Sequence, residues 1–132
     1  MIEQRKAPRG WNRHHTLYYR RSYESRRDTR QWREHATMII PMDIYHHNLL
    51  HVNTPPVHKL ATPELTQRAI EWCFLLDDDP ETITPLEGFT SMRDEFRDYH
   101  RRNSQSALGR EALRFADQFT QQLSFMREIP QY

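Results

Sequence analysis

A single cysteine, Cys73, leaves the chain no means of forming an intrachain disulfide, a zinc ribbon or a Cys-x-x-Cys redox pair. Any metal must therefore be held by His, Asp or Glu. The three glycines, Gly10, Gly88 and Gly109, stand too far apart to build a phosphate-cradling loop. No uncharged apolar run approaches the roughly 20 residues that a bilayer crossing needs. The opening MIEQRKAPRGW lacks the apolar stretch of a signal peptide. A cytoplasmic protein with no membrane partner is the expectation. Leu, Ile, Val and Phe are also scarce, at 26 of 132 residues, near the level where disorder competes with folding. Against disorder stand 15 aromatic residues and a net charge of only +1. The result is a folded chain with a thin core, to which a metal or a partner subunit can supply the missing stability.

The near-zero net charge conceals a split. Residues 1–35 carry ten Lys/Arg against four acids, and residues 36–132 carry nine against fourteen. The basic third suits a polyanion and the acidic remainder suits solvent or a protein partner. Internal pairing of acidic helices with the basic segment is the plainer alternative.

Residues 1–10, charged and containing Pro8 and Gly10, read as a basic arm. The stretch WNRHHTLYY has the composition of a strand near residues 11–19. In SYESRRDTRQWREHA a helical reading puts Arg26, Arg30 and Arg33 on one stripe, with Arg27 beside them. The run TMIIPM, ended by Pro41, predicts a second strand, and Asp43 can cap a short helix through IYHHNLLH. Pro55, Pro56 and Pro63 then interrupt regular structure and mark the best boundary. Beyond it Thr62-Pro63 starts a helix with Leu65, Ala69, Trp72, Cys73 and Leu76 on one face. Thr84-Pro85-Leu86-Glu87 forms a capping box, followed by Leu86, Phe89, Met92, Phe96 and Tyr99 at spacings of three and four. RRNSQS bends the chain, and a last helix carries Leu108, Ala112, Phe115, Phe119, Leu123 and Met126.

Two histidine clusters remain. On a helix His47 and His51, four apart, project from one face within reach of a single ion. Neutral imidazole is a ready ligand for divalent transition metals. Two ligands on one helix need a third from elsewhere, and His14 or His15 can supply it if the first strand lies against that helix. A lone His-x-x-x-His is weak in a chain with eight histidines. The order strengthens it: a His doublet on a strand, a basic segment, a β-like run, then the two-histidine helix.

That order, His14-His15 followed by MIIPMDIYHHNLLH, resembles the ββα-metal endonucleases (the His-Me finger or HNH group), the colicin-type DNases above all. The resemblance spans residues 11–53 and none of the helical remainder. It implies that His14, His47 and His51 hold a divalent metal (Zn, Ni, Mg or Mn) and that His15 is the general base. The chemistry is that of phosphodiester hydrolysis, with the imidazole taking a proton from water near neutral pH and the metal stabilising charge at the phosphate. Arg20 and Arg21, with Arg26, Arg27, Arg30 and Arg33, would hold flanking phosphates without reading bases. Trp11 and Trp32 can stack on bases, although packing is the commoner role. The chain departs from the family in two places. No Asn lies between the doublet and the helix, leaving His35 in REHATMII to orient the base, as a histidine does in some relatives. The colicin-type Gly-rich loop is replaced by the arginine-rich segment.

The other candidates have simpler explanations. His46 turns about 100° from His47 on a helix and is expected to be exposed or to support the ligands from behind. His58 and His100 read as surface residues. Asp77-Asp78-Asp79 reads as a solvated helix end, and Cys73 as a buried core thiol. The expected fold is α+β, with a basic arm at 1–10, a small ββα-metal-like unit at 11–58 and a three-helix extension at 59–132. Three functions follow, in order. The first is an HNH-like hydrolase, an endonuclease cutting DNA ahead of RNA. The second is a non-catalytic nucleic-acid binder on the same scaffold. The third is an interaction protein of phage or mobile-element type, whose helical half docks a partner or forms a homodimer.

Overall fold

A computed structural model describes residues 9–17, 39–53, 61–77 and 84–129. The protein is α+β, as its sequence predicts: among the described residues a two-stranded antiparallel sheet is followed by four helices. Strand β1 (Trp11–His15) is shorter than the stretch expected from composition. It follows a turn in which Gly10 has a φ of 86°, a conformation that glycine adopts without strain. Strand β2 (Ile39–Asp43) pairs with it so that His14 faces Ile40 and Asn12 faces Met42. Pro41, opposite Arg13, is tolerated because both strands of a two-stranded sheet are edges.

Helix α1 (Ile44–Asn53) leaves β2 directly. Asp43 caps it: Oδ1 accepts the His46 backbone N–H at 2.9 Å, and Oδ2 meets the His46 ring at 2.6 Å. These contacts, the backbone bond first, hold the Asp43 carboxyl below its ordinary range. His46 is thereby committed to the cap.

Helices α2 (Pro63–Asp77), α3 (Pro85–Arg102) and α4 (Ala107–Met126) form the helical unit. The caps are those expected at Thr62, whose Oγ1 accepts Leu65 N–H, and at Thr84, whose hydroxyl accepts Glu87 N–H. A further cap lies in the bend, where Ser106 Oγ accepts Gly109 N–H at 2.9 Å. That bend needs glycine, since a Cβ on Gly109 would fall onto the Asn103 carbonyl. His100 is not the isolated surface residue that its sequence position implies. It is half-buried and its Nδ1 reaches the Gly109 carbonyl at 2.9 Å, tying the end of α3 to the start of α4.

The periodic faces read from sequence are the buried ones. Phe89, Met92, Phe96, Phe115, Phe119, Leu123 and Met126 are fully enclosed, with Leu65, Ala69 and Cys73 of α2. Leu86, Tyr99, Leu108 and Trp72 pack at the margin, and Leu76 falls outside the described side chains. Leu17, Ile40, Met42 and Leu50 of the ribbon and α1 join the same cluster, so one core serves both parts of the chain. Its centre is aromatic. Phe119 sits 4.9 Å from Phe89, 5.5 Å from Phe96 and 6.2 Å from Phe115, ring centre to ring centre. No described helix is long and apolar enough to cross a membrane.

Candidate metal centre

Strand alternation puts Asn12 and His14 on the same face of the ribbon, and helix spacing puts His47 and His51 on one side of α1. The short step from β2 into α1 sets those two faces against each other. His14, His47 and His51 each offer a ring nitrogen, all within 4.8 Å of one another, close enough to bind one metal ion. His14 Nδ1 lies 3.2 Å from His47 Nε2, and His51 Nε2 lies 2.9 Å from that same atom. The set runs from the interior outward: His14 is 2% exposed, His47 is half-buried and His51 is exposed.

Three ring nitrogens converging on one point cannot all be satisfied by the protons of neutral imidazoles. His14 Nε2 stands 2.8 Å from Gln122 Oε1; with the carboxamide in this orientation Oε1 accepts Nε2–H, which puts the His14 proton on Nε2 and leaves a lone pair on Nδ1. His47 Nδ1 faces the Asn12 carboxamide at 2.9 Å. With the amide nitrogen there, His47 carries its proton on Nε2 and can donate it to one neighbour only. With the carboxamide turned end for end, Oδ1 accepts Nδ1–H, and His47 Nε2 joins His14 Nδ1 as a second inward lone pair. A cation at the convergence point relieves that repulsion, and the nitrogen-only donor set suits a borderline transition metal.

The electrostatics point the same way. Burial pushes His14 from an ordinary 6.5 down to about 4, against the opposing bond to Gln122 and with help from His47, His51 and His15. Burial, then the charges of His51 and His15, lowers His47 as well. Metal ligation needs neutral imidazole, and these surroundings keep two of the three rings neutral at physiological pH.

His15 is half-buried at the end of β1, within electrostatic reach of both His14 and His47. His35, the arginines at positions 20, 21, 26, 27, 30 and 33, Trp32 and His58 lie outside the described residues. Trp11 is half-buried, and Arg13 is exposed beside it on β1. Sequence reasoning missed Asn12 and Gln122. Signals existed for both: Asn12 shares the alternation of His14, and Gln122 interrupts the apolar stripe that runs from Phe115 through Phe119 to Met126.

Comparison with protein-family models, with curated proteins and with solved structures returns no match to this chain.

Proposed function

We propose that this chain is a metal-dependent phosphodiesterase of the ββα-metal type acting on nucleic acid, DNA ahead of RNA. The observation that carries the reading is the convergence of His14, His47 and His51 from a strand and the following helix, with an exposed ligand at one edge. Catalytic sites typically combine three protein ligands with one open position. A divalent ion there, zinc, nickel, magnesium or manganese, supplies Lewis-acid stabilisation of the phosphate and of the departing oxygen. His15 takes the proton of the attacking water as the P–O bond to the leaving group breaks. His35 orients the base, and Arg20, Arg21, Arg26, Arg27, Arg30 and Arg33 neutralise flanking phosphates. The cytoplasm, of a phage-infected cell or one carrying a mobile element, is the proposed setting.

The second reading is a non-catalytic binder of nucleic acid or protein, with or without a homodimer through the helical half. It is favoured by one observation: no Asn occurs between His15 and α1 to hold the base. Plasmid and RNA cleavage by wild type and His15→Ala, each loaded with metal, separates the two. Cleavage lost in His15→Ala with metal and nucleic-acid binding retained is the expected result. A metal-loaded wild type that binds but never cuts establishes the second reading, and its affinity should then fall steeply with salt.

A further inference from the structure

Gln122 lies 108 positions from His14 in the sequence, in the last helix of a unit to which the resemblance to nucleases does not extend, yet it touches the candidate metal centre. Its side chain is 5% exposed and stands on the buried face of α4 between Phe119 and Met126. A glutamine in such a place costs stability unless it is bonded. Its partner is His14 Nε2, at 2.8 Å, and the two are buried together.

The direction of that bond has a consequence for the ligand. With Oε1 toward the ring, as it stands, the glutamine accepts and so selects the His14 tautomer protonated on Nε2, with Nδ1 turned toward His47 and His51. A ligand histidine held through its other ring nitrogen is fixed in orientation and made more basic. Asn12 stands in the matching place behind His47. His14 is the one buried member of the triad and cannot be reoriented by solvent. We propose that Gln122 is a positioning residue for metal binding: from the helical unit it fixes the tautomer and ring orientation of His14, and so sets the metal affinity of a centre whose ligands all lie in the first 53 residues. This rests on the metal reading of the triad and is independent of whether the chain cuts nucleic acid.

The test uses the full chain and zinc(II). Affinity is measured by competition with a chromophoric chelator for wild type, Gln122→Met and Gln122→Glu. Methionine keeps the length and removes the acceptor, whereas glutamate keeps both. The expected result is a 10- to 100-fold loss of zinc affinity in Gln122→Met and wild-type or tighter binding in Gln122→Glu. Imidazole nitrogen NMR of the wild type should show His14 protonated on Nε2 and metallated on Nδ1. That reading stands even if Gln122→Met fails to fold. Zinc bound by Gln122→Met within twofold of wild type overturns the proposal and leaves the metal centre standing. So does a His14 proton on Nδ1 or an equal loss in Gln122→Glu. A wild type that binds no zinc overturns the metal reading and the proposal together.

Discussion

The Glu111 side chain of α4 accepts the backbone N–H of Thr62 at 2.9 Å, so a buried carboxylate from the last helix secures the residue that caps α2. Thr62 in turn caps α2 with its own hydroxyl. The start of α2 is thus fixed from 49 positions away. Replacing Glu111 by Ala should cost about 1–3 kcal/mol by leaving that N–H without its charged acceptor. Glu111→Gln, which keeps an oxygen, should cost less. Urea denaturation of the three proteins measures both.

Acid should weaken the fold through His14. Its pKa is about 4 in the folded chain and near 6.5 when unfolded, so between those values the unfolded state holds more protons. The stability contributed by neutral His14 is present above pH 6.5 and is lost as pH falls toward 4, by about 3 kcal/mol in all. Urea midpoints of the metal-free protein across that range should fall with pH. The slope should be shallower in His14→Gln, which has no titrating ring.

Metal removal should lower the melting temperature, because the ligands converge only when β1 and α1 are folded together. Zinc at 100 times its dissociation constant stabilises by roughly 2.7 kcal/mol. The shift should vanish on chelation and be absent in the His47→Ala/His51→Ala variant. A calorimetric scan with and without chelator decides it.

Phe119→Ala should be among the most damaging core changes. The ring meets Phe89, Phe96 and Phe115 with no exposure, and its loss leaves a cavity that three rigid neighbours cannot fill. About 3–5 kcal/mol of destabilisation is expected, read from urea denaturation.

Gly109→Ala should destabilise although alanine favours helices. The added methyl collides with the Asn103 carbonyl, which already accepts Ser106 N–H and its hydroxyl. A loss of about 1–3 kcal/mol is the expected cost of overpacking. Ser106→Ala, which loses the cap and the hydroxyl's bond to Asn103 but adds no clash, should cost about 1 kcal/mol. Thermal melts of both variants distinguish clash from lost cap.

What local pattern encodes was legible in the sequence. Leu65, Ala69 and Cys73, then Phe89, Met92 and Phe96, then Phe115, Phe119 and Leu123, recur at helical spacing and are buried. Thr62 and Thr84 announce their helices by chemistry that acts within four residues. His47 and His51 were legible as a pair because they share a helix face, whereas spacing left the third ligand open between His14 and His15; the resemblance pointed to His14, and the fold brings that ring to the pair. What is long-range was hidden. His100 looks solitary until α4 folds back and brings it the Gly109 carbonyl. Gln122 and Glu111 look like surface residues of a polar helix, and only packing assigns one to His14 and the other to Thr62. Their shared signal is position: both interrupt an apolar stripe, where a polar side chain needs a buried partner.

The proposed role of the contact between His14 and Gln122 would also order events in time. Synthesis proceeds from the N-terminus, so all three ring nitrogens leave the ribosome long before the glutamine that orients one of them. A nascent or truncated chain ending before Gln122 carries every ligand but lacks the bond that turns His14 inward. If the triad binds metal as proposed, high-affinity loading would be reserved for chains in which α4 has been made and docked. In a hydrolase of nucleic acid, that delay would withhold activity from every unfinished copy.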